Sequence, residues 1–320
     1  MQQPPRTLLE ATRILRGLTQ SDLASALGIT QSVVSLLQSG AQRAPAALVT
    51  NIASALEMPE ALLRRPSPAP RIGHLLRPSL PRTALNRALA EVTMAHAHVA
   101  LLTDPVHADL DPRPDRNPDD LARRLRDRWA VAPGPITEMI SILEANGIVC
   151  IYRDLSDLGV VALSSTAASG STLMFLDRTA SRMDLRWAIA HELGHLVMTD
   201  RSAKDSEALS DAFAIAFLLP EGDLRVDLDD IAAEAACFGV RPRVLAQRYR
   251  NLRLITDLQF RKLVREEVAL ADAELPPVQL GSPSIIADAV RAAGGSRHAA
   301  AEAFLSVDDL RQRYLARSQS

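Results

Sequence analysis

Apolar residues along positions 1–65 recur at helical spacing between regular breaks. "RTLLEATRILRG" and the next residue place them at 8, 9, 11, 14, 15 and 18, close to one face of a helix. "TQSDLASALGI" predicts a second helix, with Thr19 as N-cap, Asp22 completing a capping box and Gly28 as its stop. "TQSVVSLLQSG" predicts a third from a Thr30 cap to Gly40, and "PAALVTNIASALEM" a fourth from Pro45. An Ala/Leu segment at 82–103 also reads as helix, as do "LARRLRDRWAV" and "PITEMISILEANG", the last closed by Asn146-Gly147. The period then changes. "IVCIYRDL", "GVVALSST" and "STLMFLDRT" are short runs rich in β-branched and aromatic residues, flanked by Gly, Ser and Asp, and predict a small sheet. "SRMDLRWAIAHELGHLVM" returns to helical period with only Gly194 interrupting it, and "KDSEALSDAFAIAFLLP" (204–220) predicts a helix directly after. No internal repeat is visible.

Proline marks the joints. "PSPAPRIGHLLRPSLP" (66–81) carries five prolines, which remove backbone donors and steer their neighbours away from helix, and it reads as a semi-rigid linker. "DPVHADLDPRPDRNPDD" (104–120) is a second break and "AELPPVQLGSP" (273–283) a weaker third. The expected organisation is a helical unit at 1–65, a linker with a bridging helix at 66–120, a mixed domain at 121–270 and a helical tail at 271–320. The fold class is therefore α+β and mostly helical. Aromatics make up only 3% of the chain, so the cores must be built from Ala, Leu, Val and Ile. The net charge of -2 excludes a uniformly basic nucleic-acid coat and leaves room for a local patch. Cys150 and Cys237 form no CxxC pair and read as two small buried apolar residues in a reducing compartment. With no signal-peptide pattern and no apolar run of about 18 residues, a cytoplasmic protein with no membrane partner is expected.

The chemistry lies in His191-Glu192-x-x-His195. At i and i+4 the two histidines project from one helical face, close enough to share a metal. Glu192, about 100° around the helix, misses the metal but can reach a water bound to it. A catalytic zinc needs a third protein ligand and an open position. Glu207 and Asp211, also i and i+4, face the histidines if the two successive helices pack antiparallel. One can ligate the metal while the other orients a ligand histidine. His74, His96, His98, His107 and His298 lie in linkers, the bridging helix or the tail, where surface or packing roles are expected.

Two resemblances sharpen this reading. "LRGLTQSDLASALGITQSVVSLLQSG", within residues 7 to 64, resembles the XRE (lambda-repressor-like) helix-turn-helix family, a small all-α DNA-binding fold. The resemblance implies that Gln20 touches a phosphate, that Gln31, Ser32 and Ser35 face the major groove, and that Arg43 contacts the DNA backbone. Six Arg against four acidic residues in 1–65 give only modest attraction to DNA, so a homodimer on operator DNA is expected. "LRWAIAHELGH" followed by "SDAFAIAFLLP" is similar to the ImmA/IrrE family of zinc-dependent peptidases, from about 121 to 260, where "RPRVLAQRYRNLRLI" matches its winged-helix-like segment. This resemblance implies a gluzincin-like α+β domain holding one Zn²⁺ through His191, His195 and Glu207, with Glu192 as general base and Asp211 behind a ligand histidine. The implied partner is a repressor or other helix-turn-helix protein as substrate, in trans or the chain itself. The alternative is a non-cleaving regulator or antitoxin, with a toxin partner, whose peptidase-like domain senses a ligand or metal.

Overall fold

The computed structural model describes residues 4–72, 81–112, 117–198, 203–270 and 279–316, with only the backbone of 203–205 and 266–270. His74, half of the first proline-rich stretch, and the connection at 199–202 lie outside the described residues. Five helices form the first unit: α1 (Leu8–Leu15), α2 (Gln20–Leu27), α3 (Gln31–Gln38), α4 (Ala46–Ala55) and α5 (Glu60–Leu63). The capping box is present, with the Asp22 amide donating to Thr19 Oγ1 at 3.0 Å and the Thr19 amide donating to Asp22 Oδ2 at 2.8 Å. Gly28 closes α2 at φ 65°, a left-handed conformation that glycine adopts without a Cβ penalty. Leu8, Leu23, Val34, Leu37, Ile52 and Leu56 fill the core of this unit.

The proline-rich stretch is more than a linker. Arg71–Ile72 forms a short strand, β1, at an edge of the sheet, where nearby prolines break no ladder bond. α6 (Arg82–Leu102) follows and buries most of its length. Its Ala90, Met94 and Ala97 close the first core, while Val92, Ala95 and Val99 pack on the sheet. α7 (Pro118–Arg128) begins at an Asn117 cap, and α8 (Met139–Ala145) ends before Gly147 at φ 81°. The remaining strands are β2 (Ile148–Arg153), β3 (Ala162–Thr166) and β4 (Thr172–Asp177).

The sheet order is β1-β3-β4-β2, with β2 parallel to β4 and the other pairs antiparallel. Alternation along the strands serves two cores. Ile148, Cys150, Tyr152, Met174 and Leu176 face one, and Val149, Ile151, Leu173 and Phe175 face the other. A sheet covered on both faces explains strands that read as nearly continuous apolar runs.

The first face is covered by α9 (Arg182–Val197), α10 (Ala203–Leu218), α11 (Ile231–Phe238), α12 (Pro242–Asn251) and α13 (Asp257–Leu270) together with α7 and α8. Buried Glu234 fixes α11 to α12 by accepting from Tyr249 Oη at 2.7 Å and from the Arg225 amide at 2.8 Å. The second face is covered by α6 with α14 (Ile285–Ala292), α15 (Ser296–Glu302) and α16 (Val307–Tyr314). Glu144 anchors this last group, accepting from the amides of Ser284 (2.6 Å) and Ile285 (3.1 Å) at the start of α14.

One expectation changes in detail, and another is met. Cys150 is buried, but Cys237 is exposed, because it falls on the outer side of α11 while Ile231, Glu234, Ala235 and Phe238 turn inward. His96 and His98 are both packed, at 3% and 4% exposure. His96 Nε2 pairs with Ser165 Oγ and His98 Nδ1 with Tyr314 Oη, each at 2.8 Å. Being two residues apart on α6, one reaches the sheet and the other α16.

Candidate metal centre and DNA-reading helix

Ser181 caps α9 by accepting from the Asp184 amide at 3.1 Å, and the helix then runs unbroken through the histidine motif. α10 packs alongside it. Gly194 permits the approach, since a Cβ there would lie 2.9 Å from Ser210 Cα. That proximity brings the Ser206/Ser210 and Glu207/Asp211 rows of α10 onto the two histidines.

Each histidine is held through its Nδ1. His191 Nδ1 donates to Asp211 Oδ1 at 2.9 Å, and His195 Nδ1 lies 3.0 Å from both Ser206 Oγ and Ser210 Oγ. Because a carboxylate only accepts, the Asp211 bond places the proton of neutral His191 on Nδ1 and leaves Nε2 as a lone pair. The two Nε2 atoms face each other at 3.0 Å, with Glu207 Oε2 3.4 Å from that of His191 and Glu207 Oε1 3.4 Å from that of His195. These three side chains can offer one ligand atom each within 4.8 Å of one another. Bonds of about 2.0–2.2 Å in a tetrahedron separate ligand atoms by roughly 3.3–3.6 Å, so the cluster has the scale of a zinc site. The lone pair of His191 Nε2 beside the Glu207 carboxylate suits a cation, and this donor set of two imidazoles and a carboxylate fits zinc.

The electrostatics agree with the geometry. Burial alone would lower the pKa of His191. The hydrogen bond and charge of Asp211, with Glu192 and Glu207 nearby, instead hold it above its ordinary value. Glu207 and Asp211 are exposed, so the cluster opens to solvent on the α10 side.

Glu192 is buried against β3. The Ser164 amide donates to its Oε2 at 2.9 Å and the Ser164 hydroxyl at 2.6 Å. Burial pushes its carboxyl up to about 7, opposed by the two Ser164 hydrogen bonds and by the charge of His191. That value suits a group that exchanges protons near neutral pH. Beside the cluster, a cleft of about 460 Å³ is lined by Met183, Trp187, Asp211, Ile215, Val244 and Phe260, among others. Met183 and Trp187 precede His191 at helical spacing, so the cleft runs along the same face of α9.

The expected metal residues are thus brought together. Sequence reasoning missed Ser164, Ser206 and Ser210. Ser206 and Ser210 carried a usable signal, the same i, i+4 spacing as Glu207 and Asp211 on one predicted helix. Ser164 carried none, because its partner is 28 residues away across a strand-to-helix contact.

In the first unit, Gln31, Ser32 and Arg43 are exposed, and Gln20 and Ser35 are partly buried. Gln31 Nε2 donates to Gln20 Oε1 at 2.5 Å, and Gln20 Nε2 donates to Gln38 Oε1 at 2.8 Å. The two helices present a linked amide row with Ser32 beside it. Arg43 stands apart, in the loop after α3.

Residues 9–63 match a family model described as helix-turn-helix, and residues 143–250 match one described as IrrE N-terminal-like domain. The two matches fall on the two parts of the chain that carry these arrangements and bear out a helix-turn-helix unit joined to a peptidase-like domain. No curated protein and no solved structure matches the chain. No helix among the described residues is long and apolar enough to cross a membrane.

Proposed function

We propose that the protein is a DNA-binding regulator carrying a zinc-dependent endopeptidase. Residues 1–65 read an operator as a homodimer. Residues 121–270 cut a repressor-type helix-turn-helix protein or the chain itself, for which the proline-rich segments at 66–81 and 104–120 are the candidate sites. The observation that carries this reading is the convergence of His191, His195 and Glu207, with Glu192 buried beside them.

His191 and His195 hold the ion through Nε2, and Glu207 through its carboxylate. Asp211, Ser206 and Ser210 fix the rings through Nδ1. Zinc, when bound, polarises a peptide carbonyl and makes a water acidic enough to lose its proton near neutral pH. Ser164 fastens Glu192 Oε2, while Oε1 has no hydrogen bond among the described residues. Oε1 is therefore the atom that takes the proton from water and returns it to the departing amine. The cleft beside Trp187, Ile215 and Phe260 receives an apolar side chain of the substrate and holds the peptide along α9.

Metal analysis tests the centre. Wild type should bind one zinc per chain, and Glu207→Gln should lose most of that affinity, because an amide is a far weaker zinc ligand than a carboxylate. Undiminished zinc in Glu207→Gln would remove Glu207 from the ligand set.

A further inference from the structure

The last three helices repeat the plan of the first three. α14 has eight residues like α1, and α16 has eight like α3. The interval from Ser296 to Val307, the starts of α15 and α16, equals that from Gln20 to Gln31, the starts of α2 and α3. The corner between helices repeats as well. Gly28 (φ 65°) and Phe304 (φ 57°) are both left-handed, and each is followed by a partly buried aliphatic residue, Ile29 or Leu305. A hydroxyl cap comes next. Thr30 accepts from the Val33 amide at 3.4 Å, and Ser306 from the Asp309 amide at 3.0 Å.

Burial follows the same register. Leu23, Ala24, Val34 and Gln38 are buried in the first unit, and Ala299, Ala300, Leu310 and Tyr314 at the corresponding places in the second. The outward positions match too: Ser32, Ser35 and Leu36 correspond to Asp308, Arg311 and Gln312, the last three all exposed. Over 20–38 and 296–314 only Ala24 and Ala300 are the same residue, so the likeness is one of geometry. The register departs where Val307, partly buried and packed on the second core, stands in the place of exposed Gln31. It departs again where Arg313 stands in the place of buried Leu37 and turns outward to Asp309 at 3.3 Å. Phe304 packs against the core of the first unit, to which α6 also contributes.

We propose that residues 285–316 form a second helix-turn-helix unit and that α16 reads double-stranded DNA through Asp308, Arg311 and Gln312. The proposal rests on the DNA-reading role of α3, since the argument for the ligand is the correspondence with a helix pair that matches a helix-turn-helix model. The side chains suit base edges: Arg for guanine O6 and N7, Gln for adenine N6 and N7, Asp for the cytosine amino group. Arg311, and Arg297 on the exposed side of α15, have no ion-pair partner among the described residues, so both cations are available to DNA. Asp309 is occupied in the cap, with Ser306 Oγ donating to it at 2.7 Å. Four Arg against four acidic residues in 285–316 give little non-specific attraction. The second unit therefore adds base reading to a duplex already held by α3, a contact made effectively intramolecular by the shared chain.

Selection from randomised duplex DNA tests this with four full-length proteins: wild type, Gln31→Ala/Ser32→Ala, Arg311→Ala and Gln312→Ala. All the substituted side chains are exposed, and unchanged thermal melting confirms that folding is kept. Since a homodimer of α3 alone would already select two half-sites, wild type should select half-sites that each carry two blocks. Arg311→Ala should erase preference in one block and weaken binding to the selected site about 5- to 150-fold. The Gln31→Ala/Ser32→Ala protein should alter only the other block. Half-sites of a single block that Arg311→Ala leaves unchanged overturn the proposal while the role of α3 stands. Loss of self-association in Arg311→Ala with the motif intact also overturns it, making α16 a protein-contact surface. No enriched motif from any of the four proteins removes the DNA-reading role of α3 and this proposal together.

Discussion

Gly194→Ala tests whether the approach of α10 to α9 builds the metal centre. The added Cβ would stand 2.9 Å from Ser210 Cα and 3.1 Å from Ser210 O. Carbon atoms in contact settle near 3.5–4.0 Å, so one helix must retreat by about 0.6–1 Å. Overpacking of this kind costs about 1–3 kcal/mol, of which about 1 kcal/mol is offset by the better helix propensity of alanine. Global stability is therefore a poor readout, with a net loss of about 0–2 kcal/mol.

Metal affinity is the sharp one. Ser210 moves first, stretching its 3.0 Å contact with His195 Nδ1, and Glu207 and Asp211 lie on the same helix within one turn. Loss of such orienting partners typically weakens a metal site about 10–100-fold, and displacement of Glu207 itself would add to that. Zinc affinity by competition with a chromogenic chelator should fall by at least about tenfold. Gly222→Ala, where a Cβ meets nothing within 4 Å, should match wild type. Wild-type zinc affinity in Gly194→Ala would refute the claim that this glycine sets the spacing.

Two further outcomes follow from buried titratable groups. The Ser164 hydrogen bonds lower the pKa of Glu192, so Ser164→Ala should raise it and move the acid limb of the kcat/KM profile to higher pH; an unmoved limb would separate Ser164 from the titrating group. Burial lowers His96 and His98 to about 4, so between about pH 6.5 and pH 4 the unfolded chain binds protons that the native chain does not. Stability should thus fall as pH drops through that window, by about 2 kcal/mol per histidine between pH 7.5 and pH 5. Denaturant titrations should show the slope flattened in His96→Gln/His98→Gln, and an equally steep slope in that double variant would contradict the assignment.

Much of this site was legible in the sequence because its chemistry is local. His191 and His195 share a helical face by spacing alone, and Glu207 and Asp211 repeat that spacing on the next helix. Caps such as Thr19 and Thr30 likewise act within a turn of themselves. What stayed hidden depends on contacts across the fold. Ser164 reaches Glu192 from a strand. Arg71 and Ile72 pair with β3 although prolines surround them in sequence. α6 reads as a bridge because its small residues, Ala88, Ala90, Ala95 and Ala97, show no clear apolar stripe, yet their size lets it pack on both cores. The C-terminal helices share almost no residues with α1–α3, so their common plan shows only in the corner geometry and in burial.

The central claim is that the centre cuts peptide bonds, and Glu192→Gln addresses it most directly. In the proposed centre Glu192 is not a metal ligand, so the variant should keep zinc, fold and operator binding while losing a proton-transfer contribution of about 10²–10⁴-fold. Zinc-loaded wild type and Glu192→Gln would each be incubated with tagged full-length chain and with a proteome-derived peptide library, and new termini read by mass spectrometry. Wild type should generate chelator-sensitive fragments that the variant does not. Indistinguishable termini from the two proteins, with both holding zinc, would contradict the peptidase and leave the domain as a metal or ligand sensor.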